Sequence, residues 1–401
     1  MKTRTRFTTL AITLAISALL IAACSKEPVV IAPSSAGVLS GSNLKAGNNG
    51  VASYIVVLNE AFEAAGDLAG KHDYDQRKQV MSGHLNRFLN GKGVGNDQVD
   101  QTYTSVFMGF AARLSAQQVE KLQQDPMVKS IEPDGEISLG KPGTGGGGTT
   151  STQTVPWGIT RVGGGTTYTG TGKAWIIDTG IDFTHPDLNV DVTDSRYFTG
   201  TSAKDENGHG THVAGIIAAI NNNIGVVGVA AGAKVVAVRV LDRSGNGTIS
   251  GVIAGCDYVK SVGVSGDVAN LSLGGSPSQS LDDAVTSMSA KVKVALAAGN
   301  NSANAGNYSP SRVNGPNIFT VSAMGTGDLW ASFSNYGNPP VDYCAPGVNI
   351  LSCYKGGAYA TMSGTSMAAP HVAGLLLIGA ISTNGYVSGD PDGTPDPIAH
   401  H

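Results

Sequence analysis

Gly364-Thr365-Ser366-Met367-Ala368-Ala369-Pro370-His371-Val372-Ala373-Gly374 is the stretch whose reading decides the fold. A serine sits between small residues at the start of an apolar helical run. That position exposes the hydroxyl, leaves room for a second backbone, and aims the free N–H groups of the first helical turn at whatever the hydroxyl attacks. Two upstream segments carry its partners: Ile176-Ile177-Asp178-Thr179-Gly180-Ile181-Asp182 and Gly208-His209-Gly210-Thr211-His212-Val213-Ala214-Gly215. A serine hydroxyl is a poor nucleophile at neutral pH; it needs a base, and the base needs an orienting partner. Ser366 is therefore read as the nucleophile, His209 as general base and then acid, and Asp178 as the holder of the imidazole tautomer.

Outward from these segments, the chain from Val155 alternates short β-branched runs with helical patterns. Strands are expected at 174–177, 235–240, 268–273, 292–297 and 319–323, and helices at 212–221, 249–261, 280–290 and 366–378. This rhythm predicts an α/β fold, a parallel sheet covered by helices on both faces. Its site lies beyond the strand C-terminal ends. Asp178 and Asn300 each follow a strand there, so widely separated residues converge on one rim.

A smaller unit precedes it. Residues 53–58 read as a strand, 72–90 as a helix, 103–114 as strand-like at its start, and 128–132 as a final strand. Ser115 with Gln118 three residues on forms a capping box, and Leu114 with Val119 a hydrophobic staple. The unit reads as a small α+β fold. Residues 140–154, with Gly145 to Gly148, read as a flexible, protease-accessible linker.

These motifs, in the order Asp, His, Ser, resemble the subtilisin-like serine proteases, and more narrowly the proteinase K group. The segments YIVVLN and MGFAARLSAQQVEKLQQDPMVKSIEPD resemble the ferredoxin-like, inhibitor-type propeptide of that family. Taken singly, Asp178 is also a turn residue, His209 a helix cap and Ser366 an N-cap; together they outweigh those readings. The resemblance implies a self-processed serine endopeptidase in which the propeptide acts as intramolecular inhibitor and chaperone. It assigns Asn300, in Ala297-Ala298-Gly299-Asn300-Asn301, to the oxyanion. It assigns peptide binding by strand addition to Ser272, Leu273 and Gly274 on one edge and to Ser244, Gly245 and Gly247 on the other. Ala297 and Gly299 line a wide, uncharged pocket favouring apolar or aromatic side chains. His185, His212 and His371 are structural. A structural calcium ion falls by alignment on Pro316, Ile318 and Asp342.

The domain reading is a signal peptide over 1–23, a tether over 24–50, the propeptide over 51–138, the processing linker over 139–154 and the catalytic domain over 155–401. Lys2, Arg4 and Arg6 precede an apolar run, and Ile21-Ala22-Ala23-Cys24 resembles a lipobox with Cys24 as the lipidated residue. Export, a membrane-anchored precursor and a released, monomeric mature enzyme are the expectations. An oxidising compartment permits one disulfide; Cys344 and Cys353 are the nearer pair, and Cys256 reads as a buried apolar residue. A net charge of -4 without a basic cluster argues against nucleic acid. No His/Glu ligand motif points to a metal-dependent hydrolase. Asp390, Asp392 and Asp396 read as a solvated acidic tail, and Leu375 to Ile378 as lacking part of their usual cover.

Overall fold

The computed structural model describes residues 50–71, 73–140, 143–144 and 152–401. The signal peptide, the tether up to residue 49 and Cys24 lie outside the described residues.

The strand Val51–Leu58 pairs antiparallel with Gly109–Ser115 on one side and Val128–Pro133 on the other; Val99–Tyr103 completes a four-stranded sheet. The helices Tyr74–Asn90 and Ala116–Gln123 belong to the same unit. The capping box is formed: the Ser115 hydroxyl accepts from Gln118 N–H at 3.3 Å, and the Gln118 side chain accepts from Ser115 N–H at 2.9 Å. The strand expected to begin at Tyr103 instead ends there, and the next starts at Gly109. The intervening N–H groups of Thr104, Ser105 and Val106 donate to Asp257, far along the chain, and are lost to any ladder.

The larger sheet has eleven strands. Lys173–Asp178 pairs in parallel with Lys234–Arg239 and Val268–Leu271. The run continues in parallel through Lys293–Ala297, Ile318–Gly325 and Val341–Pro346. Side chains alternate across it. Ala174 and Ile176 enter one core with Val213, Met367 and Val372 from the helices His209–Ala218 and Thr365–Ile378. Trp175 and Ile177 enter the other with residues of Ile249–Val262 and Gln279–Ser289. Ile55, Tyr74, Tyr103, Val106, Ala111 and Ile137 from the N-terminal unit join that second core, so the two units share buried apolar surface.

Three expectations are corrected. Cys256, Cys344 and Cys353 are all free and buried. Cys344 packs with Met324 and Ile398, whereas Cys353 lies in the main core, so no Cys344–Cys353 bond forms. Leu375, Leu376 and Leu377 are covered. The chain beyond them adds Ser382–Tyr386 and Pro397–His400 to the large sheet. Asp396 is no solvated tail residue: it is fully buried and accepts from the Ser322 hydroxyl.

Candidate active site

Asp178 ends its strand and His209 opens its helix. Gly208 caps that helix at φ 113°, and a Cβ there would lie 2.3 Å from the Tyr354 ring, so the turn that presents His209 requires glycine. His209 Nδ1 lies 2.8 and 2.9 Å from the two Asp178 oxygens, and both side chains are fully buried. That contact favours the tautomer with the proton on Nδ1 and leaves Nε2 with a free lone pair. Nε2 has no hydrogen-bond partner among the described residues.

Ser366 occupies the second position of its helix. Its hydroxyl donates to the Ser272 carbonyl at 3.2 Å, so the Ser366–His209 hydrogen bond expected of a relay is not made in this rotamer. The Ser366 hydroxyl proton is thus directed to the Ser272 carbonyl, away from His209 Nε2. Ser272 in turn donates its hydroxyl to the Ser366 carbonyl at 2.9 Å.

The Asn300 carbonyl oxygen accepts from Thr365 N–H at 2.8 Å and from the Thr365 hydroxyl at 3.0 Å. That leaves the amide nitrogen for the cleft, where a Cβ added to Gly140 would sit 2.5 Å from it. The sequence reading missed Thr365; a threonine beside the nucleophile carries no signal for orienting a distant amide.

The cleft holds the chain's own segment. Glu136–Ser138 lies between Asn246–Thr248 and Gly274–Gly275, antiparallel to both. Gly247 and Gly275 both stand opposite Ile137, and Leu139 N–H donates to the Gly245 carbonyl at 3.1 Å. A Cβ at Gly275 would fall 2.6 Å from the Glu136 carbonyl, which explains glycine at this edge. Ser244 donates its N–H to Asp242 within a turn, and no bond from it to the segment is made. Leu273, Gly274, Ala297 and Gly299 line a pocket of about 350 Å³ beside Gly140 and Ser366. Past the cleft, Gly143 and Thr144 pair antiparallel with Ser363 and Met362. Of the expected linker, Leu139 and Gly140 thus lie in the cleft and Gly143 and Thr144 on the strand before Ser366, while Gly145 to Gly148 lie outside the described residues.

Carboxylates fasten the N-terminal unit. Asp134 accepts from Ser250 N–H at 2.9 Å, and Glu132 from the Ser278 hydroxyl and Ser280 N–H, so each sits at the N-terminus of a helix of the larger unit. In the other direction, Asp257 Oδ1 accepts from Thr104, Ser105 and Val106 N–H at 2.9, 2.6 and 2.9 Å. Burial pushes the Asp134 and Asp257 carboxyls up, against these donors. Nothing in the spacing of these acids marked them.

His212, His371 and His185 each meet backbone carbonyls away from Asp178. His212 Nε2 bridges the Ile350 and Ala360 carbonyls, and burial lowers its pKa to about 3. His371 Nδ1 meets the Met367 carbonyl, and burial lowers it to about 4. His185 Nε2 meets the Ala358 carbonyl at 2.9 Å.

For calcium, Asp342 stands at a bulge opposite Thr320, whose N–H donates to it at 2.8 Å. With only that bond opposing it, burial raises its carboxyl to about 6. Among the described residues no three acidic, His or Cys side chains gather into a metal cluster. A cation there would rest on one carboxylate plus backbone carbonyls, as Pro316 and Ile318 would supply; that donor set suits a hard ion.

Residues 175–382 match the subtilase family model, and residues 53–139 the peptidase inhibitor I9 model. The chain is 44% identical over 276 residues to the M-protease of Shouchella clausii, covering 67% of this chain and 68% of that protein. It is 37% identical over 393 residues to the extracellular serine proteinase of a Thermus species, covering 95% and 90%. A cold-adapted subtilisin-like serine proteinase of known crystal structure shares 38% identity at a TM-score of 0.52, over 61% of this chain and 97% of that one.

Proposed function

The chain belongs to the subtilase family, a subtilisin-like serine endopeptidase with an I9 propeptide, and from that premise we propose that Asp178, His209 and Ser366 hydrolyse peptide bonds through an acyl-enzyme. Ser366 Oγ attacks the carbonyl carbon before the scissile bond while its proton passes to His209 Nε2. Asp178 stabilises the imidazolium, and the oxyanion receives hydrogen bonds from the Asn300 amide and Ser366 N–H. His209 then protonates the departing amine as the C–N bond breaks. Water, deprotonated by the same imidazole, releases the acid and restores Ser366.

The observation that carries this reading is the seat of residues 136–140. Residues 136–138 form a strand between two enzyme edges, and Gly140 follows against Asn300, lining one pocket with Ser366. The first substrate is then the chain itself, cut after Gly140, with the propeptide left bound as inhibitor. Small, uncharged residues around the adjoining pocket favour apolar or aromatic side chains in later substrates. Calcium at Asp342, Pro316 and Ile318 acts structurally, outside the chemistry. The precursor is exported and held through a lipid on Cys24, and self-cleavage frees a monomeric enzyme. Mature enzyme that still carries lipid would refute that release.

The test compares the wild-type full chain with Ser366→Ala. Wild type is expected to split, label with a serine-directed fluorophosphonate and digest casein; the variant stays full length and unlabelled. A wild type that stays full length, unlabelled and inert defeats the proposal and leaves a protease fold used for binding.

A further inference from the structure

We propose that Asp205 is a positioning residue for the Asp178–His209 pair: one buried carboxylate ties the loop that follows Asp178 to the helical turn that carries His209. Asp205 is 9% exposed and takes five hydrogen bonds. Its Oδ1 accepts from the Thr179 hydroxyl at 2.9 Å, from Asn207 N–H at 2.9 Å and from Gly208 N–H at 2.8 Å. Its Oδ2 accepts from Thr211 N–H at 2.9 Å and the Thr211 hydroxyl at 2.6 Å.

The bonds to Asn207 and Gly208 alone would be an ordinary turn cap. The two threonines make it more. Thr179 donates its own N–H to Asp178 Oδ1 at 2.7 Å, and its hydroxyl oxygen accepts from Gly210 N–H at 2.9 Å. The Thr211 hydroxyl oxygen accepts from Asp182 N–H at 3.0 Å. Each hydroxyl has one proton, and each gives it to Asp205. Each therefore turns its oxygen to receive an N–H from the opposite segment. Loss of the Oδ2 acceptor frees the Thr211 proton, and displacement of the whole side chain frees both, so the direction of the cross-links is no longer fixed. The neighbours of Asp178 and of His209 are thereby held by one anion, which sets the separation and tilt of the pair. Small displacements of such a pair are expensive in rate, because proton transfer needs near-ideal alignment.

The inference rests on the proposed catalytic role of Asp178 and His209. Two variants separate the links. Asp205→Asn keeps an acceptor at Oδ1 but sets an amide donor against Thr211 N–H. Thr179→Val removes the hydroxyl at nearly constant volume and leaves Asp205 in place; Thr179→Ser retains it. Steady-state hydrolysis of a peptide substrate is expected to show kcat lowered about 10- to 100-fold in the first two, with KM within threefold and Thr179→Ser within threefold of wild type in both. In a Ser366→Ala full chain, which needs no self-cleavage, the downfield NMR signal of the His209 Nδ1 proton is expected to shift or broaden in both disruptive variants. Retention of kcat within threefold in both, a loss carried by KM alone, or an unmoved Nδ1 signal overturns the inference. A wild type that fails to label with fluorophosphonate sinks the catalytic reading itself; a labelled wild type with unaffected variants sinks only the role of Asp205.

Discussion

Replacement of Asp257 by alanine should loosen the propeptide after self-cleavage. In the intact contact, three N–H groups of the loop Thr104 to Val106 converge on one carboxylate oxygen, and the Thr104 hydroxyl reaches the other at 3.3 Å. Alanine leaves three donors dry in an interface that already shares an apolar core, at about 1–3 kcal/mol each. Relief of the carboxylate's own burial offsets part of that. Taking the low end for all three gives about 3 kcal/mol, or roughly 100-fold in the dissociation constant. Asp257→Asn keeps an acceptor oxygen and should lose less than about tenfold. The readout is the lag before peptide hydrolysis appears when the self-cut complex is diluted. Roughly 100-fold faster release is expected for alanine. A lag within threefold of wild type would show that the three donors find water at no cost, and the argument for a carboxylate anchor would fall.

Asn300→Ala should lower kcat by about 100- to 1,000-fold with KM nearly unchanged, since its amide meets the oxygen only as charge develops; a loss in KM alone would contradict this. Propeptide binding should weaken as pH rises. Asp134 and Asp257 have raised pKa values in the bound state through burial, and once apart both face water and return to the ordinary carboxylate range. The complex therefore takes up protons on forming, is favoured at low pH, and loosens as pH climbs through the raised values; release rates measured across that window check the sign. Gly210→Ala should abolish folding, because its Cβ would sit 2.1 Å from the Gly180 carbonyl; soluble, fluorophosphonate-reactive protein would refute the fit. Chelation should lower the melting temperature of wild type but leave Asp342→Asn unmoved, and an equal response from both would exclude Asp342 as the ligand.

Much of the architecture was legible because burial imposes periodicity. The strands around Asp178 and Ala297 are continuous apolar runs, as a sheet covered on both faces demands, and the capping box at Ser115 marked its helix to the residue. What escaped was everything decided by partners far along the chain. The segment after Tyr103 is apolar enough for a strand, yet its backbone donors answer to Asp257. Asp396 looked like part of a solvated acidic run, and only its contact with Ser322 shows it buried. Ser244 stood in a glycine-rich edge but faces Asp242. The two cysteines nearest in sequence pack against different neighbours. In the site, residue types predicted the Asp178–His209 pairing, whereas the turn of the Asn300 amide by Thr365 and the engagement of Ser366 with Ser272 depend on rotamers that no spacing encodes.

Gly140 enters the cleft without a side chain, next to a cavity that would accept a large one. The propeptide's hold thus comes from main-chain pairing, a shared apolar core and remote carboxylates, and Gly140 adds no side chain to the chamber. Substitutions in the chamber's wall, at Ala297 or Gly299, would then meet an incoming side chain without meeting one from Gly140.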